Sequence, residues 1–334
     1  MQQIIYIVTA GNKSIEVWKL LNTGKMFLIQ IIDTDNGEGQ TITILQKRKK
    51  IYVGIRPYYK ILIYDILKNG KLKKIDKINI PYSPHYLITD AQEEFLFCSY
   101  YHAGCMNISY INNKHIPTTI VKNFYGLEGC HSVNIDLSNN FVFFPALLQD
   151  RIYCYNFQDF KNKKNIFFDT LKYVNCLEKS GPRHMALHPN KKYIYNINEL
   201  NGTIDVWKIY NIKKNIQHIQ NIQLFPKNNK NQYWSSDIHI TSCGKYLYAS
   251  DRLHNTITLF QINKHYTLSM VNNFYTAKQP KSFIIDEKNK FLISIGQVSN
   301  TVMVHNISKK NGFLNTLYEY SVGNNPTWIT IHTI

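Results

Sequence analysis

The sequence predicts an all-β fold, a seven-bladed β-propeller that closes by pairing its N- and C-terminal strands in one blade. Two observations predict it. A short strand that ends in a bulky ring recurs seven times along the 334 residues, and the chain begins and ends on partial copies of the same unit. Propeller blades of four strands have about this repeat length. We therefore expect residues 1–334 to form a single domain.

The ring-ended strand is the clearest repeat. Its consecutive copies lie 45 to 53 residues apart, a period typical of folds built by repeating one supersecondary unit. The seven copies end at Trp18, Tyr64, Tyr110, Tyr155, Trp207, Phe260 and His305.

Two further strands precede the ring-ended strand in the repeat. A second strand is predicted at 51–53, 95–97, 141–143, 193–195, 246–248 and 291–293. Before it, an apolar first strand at 86–88, 133–135, 185–187, 238–240 and 283–285 is followed by Asp, Asn, Gly or Lys turn residues, which is typical of a hairpin. We expect the first strands to be innermost.

The chain ends supply the closure. Residues 4–8 have the pattern of a second strand, and residues 328–332 have that of a first strand. Pairing them completes one blade and removes the exposed edges that an open array would carry. A parallel α/β sheet is disfavoured because no segment of helical period separates the strands.

The charge of the chain does not indicate a polyanionic partner, although the formal net charge is +17. The basic residues are scattered over turns such as 47–50, 161–164 and 227–230, and neither a nucleic-acid module nor a basic helical stripe is recognisable. We therefore expect no nucleic acid and no membrane as partner, and we expect a monomer.

The six cysteines indicate a reducing compartment. They form no C-x-x-C pair and show no metal-ligand spacing. The chain starts without the basic and apolar regions of a signal peptide, and no run is long enough to span a bilayer. We expect a cytoplasmic protein that uses neither a metal nor an organic cofactor.

Polar residues recur where first strands begin and second strands end, which is one end of the propeller because the two strands are antiparallel. Gathering charges there is costly unless they are paired, so the pattern favours a site for an anionic, oxygen-rich ligand. Pairing across blades that merely holds the channel together is the alternative. The second strands end near Ala10, Arg56, His102, Leu147, Glu199, Arg252 and Gln297, and the first strands begin near Thr41, His85, His131, Arg183, Ser236 with Asp237, Lys281 and Thr327.

Several motifs resemble those of the bacterial propeller-type 6-phosphogluconolactonases, and the resemblance runs essentially end to end. They include Gly-Cys-His-Ser at 129–132, Gly-Pro-Arg-His-Met at 181–185, Asn-Glu-Leu-Asn at 198–201, Asp-Ile-His-Ile-Thr at 237–241 and Ser-Asp-Arg at 250–252. Where that family usually has Gln-Pro-Arg-Gly-Phe, this chain has Gln-Pro-Lys-Ser-Phe at 279–283. Lys281 keeps the positive charge but lacks the bidentate fork of arginine.

The resemblance implies hydrolysis of a phosphorylated sugar lactone, 6-phospho-D-glucono-1,5-lactone, in the oxidative pentose phosphate pathway. The family is similar in fold to fungal propeller enzymes that form and open muconate lactones, and their proposed site implies Glu199, His131, Arg183 and Arg252 as catalytic residues here. We expect the base to be Glu199 or His131 and the oxyanion to be supported by Arg183 or Arg252. The expected substrate-binding residues are Arg56, His85, His184, Asp237, Lys281 and Gln297.

Weaker alternatives concern both single residues and the whole function. Cys130 as nucleophile is disfavoured, since its neighbour His131 points to the opposite face of a strand. Zinc at His184 and His188 is disfavoured because residues four apart in a strand are about 13 Å apart. A muconate-type lactonising cycloisomerase and a non-catalytic interaction module are the alternative functions.

Overall fold

A computed structural model describes residues 2–136, 138–161, 171–211, 215–225 and 232–334. Over these residues the chain forms seven four-stranded antiparallel sheets. Two of the three lysine-containing segments named above, 161–164 and 227–230, fall mostly or wholly outside the described ranges. In the part of the chain so described, no helix is long and apolar enough to cross a membrane.

The strands are numbered along the chain, and each blade takes four of them. The blade that holds the N-terminus contains β1 (Gln3–Thr9), β2 (Ser14–Leu20) and β3 (Met26–Asp33). Three blades follow: β4 (Glu38–Leu45), β5 (Lys50–Arg56), β6 (Lys60–Ile66) and β7 (Leu72–Asn79); β8 (Tyr86–Thr89), β9 (Phe95–Tyr100), β10 (Cys105–Ile111) and β11 (Pro117–Tyr125); β12 (Asn134–Ile135), β13 (Phe141–Ala146), β14 (Arg151–Asn156) and β15 (Lys172–Asn175).

The second half of the chain repeats the pattern. Its blades are β16 (Pro182–Leu187), β17 (Tyr193–Asn198), β18 (Thr203–Asn211) and β19 (Asn215–Gln223); β20 (Ser235–Ile240), β21 (Tyr246–Asp251), β22 (Thr256–Ile262) and β23 (Leu268–Tyr275); β24 (Pro280–Ile285), β25 (Phe291–Gly296), β26 (Thr301–Ile307) and β27 (Leu314–Ser321). The last strand, β28 (Pro326–Thr333), belongs to the N-terminal blade, and one short helix, α1 (Phe157–Lys161), follows β14.

The predicted closure is confirmed. Strand β28 pairs antiparallel with β1, from Gln3 opposite Thr333 to Thr9 opposite Pro326, and the sheet order is β28-β1-β2-β3. The first strand of this blade therefore comes from the C-terminus and the other three come from the N-terminus. Unfolding of either end would expose the edge of a sheet, so the two ends stabilise each other.

The predicted repeat is confirmed as well, because the seven ring-ended strands are the third strands of the seven blades. Six of the seven rings are buried, whereas Tyr110 is 42% exposed. The predicted second strands lie within β5, β9, β13, β17, β21 and β25. Of the first strands, only the one predicted at 133–135 is shorter than expected, since β12 spans Asn134–Ile135.

The core lies between the blades, and buried tyrosines join neighbouring blades at four of the junctions. Four second strands carry a tyrosine whose hydroxyl donates to a carbonyl oxygen in the hairpin between the third and fourth strands of the neighbouring blade. Satisfying a buried hydroxyl in this way avoids a desolvation penalty of about 1–3 kcal/mol. The four bonds run from Tyr6 to Gly70 at 2.9 Å, Tyr52 to His115 at 2.8 Å, Tyr195 to Tyr266 at 2.9 Å and Tyr248 to Gly312 at 2.6 Å.

Aspartates close several of the hairpins between first and second strands. The Asp90 side chain accepts the backbone N–H of Phe95 at 2.8 Å, and Asp136 and Asp286 accept those of Phe141 and Phe291 at 2.5 Å and 2.6 Å. Such side-chain to backbone bonds favour a turn over continued strand. These bonds fix the residue at which each of the three second strands starts. They thereby also fix the residue at which that strand ends, beside the axis.

Candidate active site

Bulges at the start of the first strands aim side chains at the axis. In β16 the register shifts between Pro182 and His184, so Arg183 is an extra residue without a partner on β17. In β24 the same shift, between Pro280 and Ser282, leaves Lys281 unpaired on β25. A bulge bends its strand and re-aims the extra side chain. Arg183 and Lys281 are therefore two basic residues that have no partner on the neighbouring strand and whose side chains the bulges re-aim.

Seven side chains meet at the end of the propeller where first strands begin and second strands end. Ion pairs and hydrogen bonds join six of them. The seventh, Lys281, interacts electrostatically with the three arginines and with Glu199. This charged cluster comprises Arg56, His85, His131, Arg183, Glu199, Arg252 and Lys281.

Glu199 is the carboxylate of the charged cluster, and two arginines flank one of its oxygens. Its Oε2 lies 2.7 Å from Arg183 Nε and 3.1 Å from Arg252 Nη2. The indole Nε1 of Trp234 donates to Oε1 at 3.2 Å, and the Arg252 guanidinium lies 3.8 Å from the centre of the Trp234 ring. Oε1 thus keeps room for a further donor, such as water.

The two arginines are held rigidly. Their side chains are only 3% and 7% exposed, and Arg183 Nη1 also donates to the carbonyl oxygen of Ser236 on the next blade. The hydroxyl of Ser132 donates in turn to the carbonyl oxygen of Arg183 at 2.8 Å. Fixed donors that need no rearrangement are what stabilisation of a developing oxyanion requires.

Two histidines of the cluster form a hydrogen-bonded chain with Arg56. Arg56 Nη2 lies 2.5 Å from His85 Nδ1, and His85 Nε2 lies 3.0 Å from His131 Nε2. Burial lowers the pKa of both histidines well below the ordinary value, reinforced by Arg56 for His85 and by Arg183 for His131. Both imidazoles are therefore neutral at neutral pH. The ring of Tyr101 lies 5.1 Å from His85 and 5.7 Å from His131.

Positive charge is in excess in the charged cluster, which has four cationic side chains and one carboxylate. Glu38, near Arg56, is exposed, and Asp251, near Arg252, is bonded to His254. Burial, together with Arg183, Arg252 and Arg56, lowers the pKa of Lys281 to about 7. An anion placed among these groups would relieve their mutual repulsion.

A second polar group, the Asp237 cluster, occupies the channel further along the first strands. It comprises His184, Asp237, His239 and Ser282. His184 Nδ1 lies 2.9 Å from Asp237 Oδ1, while His239 Nε2 and Ser282 Oγ lie 3.3 Å and 3.0 Å from Oδ2. Although burial disfavours the carboxylate, His239 and His184 hold the pKa of Asp237 well below its ordinary value.

The Asp237 cluster borders a cavity of about 270 Å³ at the opposite end of the channel from the charged cluster. Residues late in the first strands line the cavity, among them Thr43, Ile88 and His239. The rings of Tyr86 and Trp328 line it as well. None of the seven residues of the charged cluster lines it. The channel therefore has two chemically different halves.

The predicted site residues divide between these two regions. The four expected catalytic residues, and Arg56, His85 and Lys281 among the expected substrate contacts, lie in the charged cluster. His184 and Asp237 lie in the Asp237 cluster, although the His184 ring is still 5.1 Å from that of His131. Gln297 lies in neither, because its amide donates to Asn325 at 2.8 Å.

Sequence reasoning did not single out Tyr101 as a residue of the site. The repeat pattern placed His102 at the end of β9, but His102 is exposed and its neighbour Tyr101 faces the histidines. Trp234 directly precedes β20, and its position beside the polar start of a first strand is the sequence signal for its contacts with Glu199 and Arg252. Cys130 is fully buried, and burial raises the pKa of its thiol, which opposes a role as nucleophile.

Within the described ranges, no group of three His, Cys, Asp or Glu side chains is arranged to hold a metal ion. The site thus offers acid-base groups, charged donors and an anion-attracting field. Such groups can add water to an activated carbonyl and bind a phosphate.

Comparison with known proteins gives a consistent result over the whole chain. The model of the seven-bladed β-propeller lactonase family matches residues 4–331. The chain is 44% identical over 333 residues to the 6-phosphogluconolactonase of Buchnera aphidicola subsp. Schizaphis graminum, covering 99% of each protein. It is 34% identical over 335 residues to the 6-phosphogluconolactonase of Erwinia tasmaniensis, covering 100% of each.

Solved structures agree on the fold. The periplasmic gluconolactonase of Pseudomonas aeruginosa superposes with a TM-score of 0.87 at 16% identity, over 100% of this chain and 99% of that one. A protein of Lactobacillus plantarum superposes with a TM-score of 0.85 at 16% identity, over 99% of both chains. At these identities the likeness supports the propeller architecture alone.

Proposed function

The chain belongs to the seven-bladed β-propeller lactonase family, and from that premise we propose that its charged cluster opens the ring of 6-phospho-D-glucono-1,5-lactone with water. The chain is a carboxylic ester hydrolase, as relatives 34–44% identical over their full length are. The product is 6-phospho-D-gluconate, in the oxidative pentose phosphate pathway. These relatives do not favour the alternative functions, a lactonising cycloisomerase or a non-catalytic module.

The observation that carries the site assignment is the excess of buried positive charge around Glu199. The substrate brings a phosphate of about −1.5 to −2 charge and a carbonyl oxygen that becomes negative during the reaction. Arg56 and Lys281 are suited to the phosphate, and Arg183 and Arg252 to the carbonyl oxygen, because charged donors bind such oxygens strongly. The Asp237 carboxylate would repel both.

The reaction proceeds by addition of water and loss of the ring oxygen. A base removes one proton as the water oxygen bonds to the lactone carbon, and the carbonyl oxygen becomes an oxyanion beside the arginines. The oxyanion then re-forms the carbonyl as the bond from carbon to ring oxygen breaks. The ring oxygen takes the proton and becomes a hydroxyl. The base is Glu199 or His131.

Turnover of the purified protein tests this proposal. We expect hydrolysis of 6-phosphogluconolactone well above the spontaneous rate, measured by the proton that each lactone releases in a weakly buffered solution. Glucono-1,5-lactone, which lacks the phosphate, is the matched control substrate and should show a much lower kcat/KM. Equal turnover of the two lactones would contradict the phosphate role of Arg56 and Lys281, and no turnover of either would contradict the function.

We further propose that residues 1–334 act as one monomeric domain in the cytoplasm, without nucleic acid or membrane as partner. The free state of all six cysteines supports a reducing compartment. The dispersal of basic residues over turns supports the lack of a nucleic-acid surface. Light scattering on a sizing column tests the oligomeric state, and a mass near twice the 39.2 kDa of the chain would contradict the monomer.

A further inference from the structure

The chain from Arg56 through His85 to His131 determines where each imidazole carries its proton. A guanidinium has only donors, so the His85 Nδ1 that lies 2.5 Å from Arg56 Nη2 must be the acceptor. A neutral histidine whose Nδ1 accepts carries its proton on Nε2. His85 Nε2 therefore donates to the atom it meets at 3.0 Å, which is His131 Nε2.

The same reasoning then applies to His131. Since its Nε2 accepts from His85, the proton of neutral His131 is on Nδ1. This Nδ1 is buried and has no hydrogen-bond partner among the residues that the structure describes. A buried donor without a partner is unfavourable and calls for an explanation, of which a catalytic contact with a bound ligand is one. His131 is itself only 7% exposed.

Resting on the proposed function, we propose that His85 is a positioning residue that fixes His131 as the Nδ1–H tautomer, and that His131 donates this hydrogen bond to the lactone instead of acting as the base. The lone pair that a base would need is already engaged by His85. Taking a proton on Nε2 would break the bond to His85, because two N–H groups would then face each other. The proton acceptor of the reaction is consequently Glu199, whose Oε1 accepts one bond, from Trp234.

The low pKa values of both histidines agree with this assignment but are not needed for it. Burial and the neighbouring arginines disfavour an imidazolium at either position. A protonated His85 would also place an N–H against the Arg56 guanidinium. Both imidazoles are therefore neutral at neutral pH.

Nitrogen NMR of protein labelled with ¹⁵N-histidine tests the tautomer directly. Signals of His131 are identified by their loss in His131→Asn. In the wild type at neutral pH, we expect Nδ1 at the shift of a protonated nitrogen and Nε2 at that of an unprotonated one. In His85→Phe, which keeps a ring but has no nitrogen, this preference should be lost. A His131 protonated on Nε2, or on both nitrogens, in the wild type would overturn the proposal.

Kinetics of His131 variants test the role of donor against that of base. The amide nitrogen of Asn occupies the position of Nδ1 and can donate, whereas Leu can neither donate nor accept. We expect His131→Leu to lower kcat by about 10²–10³-fold, as removal of an oxyanion donor does, and His131→Asn to recover most of this loss. Equal inactivity of the two variants would overturn the donor role.

The positioning role of His85 has its own control. Gln can donate from a position close to Nε2, so His85→Gln should keep both the tautomer of His131 and most of kcat, while His85→Phe should lose both with little change in KM. A loss of kcat in His85→Phe with the tautomer unchanged would overturn the positioning role. If the wild type does not hydrolyse the lactone, the proposed function fails, while the NMR experiment still decides the tautomer.

Discussion

The two halves of the channel contain similar types of residue but differ in the balance of their charges. In the Asp237 cluster a carboxylate accepts from His184, His239 and Ser282, and the backbone N–H of Phe283 donates to it as well, at 3.2 Å. In the charged cluster, four cations meet one carboxylate, and His131 Nδ1 has no partner within the described residues. Both halves keep one buried imidazole nitrogen without a partner among the described residues, His131 Nδ1 and His184 Nε2. The comparison teaches that an excess of one charge, and not the mere presence of charged groups or of an unsatisfied nitrogen, marks a site for an anion.

The largest effect should come from replacing the carboxylate of the charged cluster. Glu199→Gln keeps the shape but cannot take a proton from water, and general base catalysis contributes about 10²–10⁴-fold. We therefore expect kcat to fall by about that factor, measured by the lactonase assay. Glu178→Gln is the matched control, because Glu178 is 87% exposed and belongs to neither cluster. Retention of wild-type kcat by Glu199→Gln would remove Glu199 as the base.

The carboxylate of the other half should affect stability instead of turnover. Asp237→Asn weakens several charged hydrogen bonds, and we expect the free energy of unfolding to fall by about 2 kcal/mol, with kcat within about threefold of wild type. Because the pKa of Asp237 is lowered on folding, its stabilisation is complete above about pH 4 and is lost as the pH falls below that. Urea unfolding of both proteins at several pH values checks the sign. A hundredfold loss of kcat in Asp237→Asn would place Asp237 in the catalytic site and would contradict the different roles of the two halves of the channel.

The lysine of the charged cluster should make substrate binding sensitive to pH. With a pKa of about 7, Lys281 is charged at pH 6 and largely neutral at pH 8, so KM should rise by about tenfold over this interval as the phosphate loses a cation. Lys281→Arg stays protonated and should flatten the rise. Initial rates corrected for spontaneous hydrolysis check this. An equal rise of KM in both proteins would trace it to the substrate phosphate.

The smallest effect should come from the indole that touches both Glu199 and Arg252. Trp234→Phe keeps a ring beneath the guanidinium but removes the N–H that donates to Oε1 at 3.2 Å. One hydrogen bond of this kind contributes about 1 kcal/mol, so kcat/KM should fall by about fivefold. A change of more than a hundredfold would mean that the indole contacts the substrate directly.

The sequence predicts the fold almost completely because the propeller repeats itself. Ring-ended strands such as those of Trp18 and Phe260 recur with a nearly constant period, and the half-blades at the two ends require closure. The exposed ring of Tyr110 shows the limit of the pattern, since burial also depends on the neighbouring strands. Because the repeat has seven copies, the pattern is recognisable even where one copy departs from it.

The site could be predicted only in part, because its geometry depends on bulges. The sequence brings Arg183 and His184 to the axis together, but the shift between Pro182 and His184 gives them different partners, Glu199 for the first and Asp237 for the second. Alternation along a regular strand does not describe a bulged segment. The roles assigned to the residues of both clusters and to Gln297 all remain predictions.

A crystal structure with 6-phosphogluconate bound tests the central claim most directly. We predict the phosphate between Arg56 and Lys281, and the carboxylate that forms from the lactone carbonyl beside Arg183 and Arg252. Product bound instead in the cavity lined by Tyr86 and Trp328, at the opposite end of the channel, would contradict the assignment of the charged cluster as the site of hydrolysis.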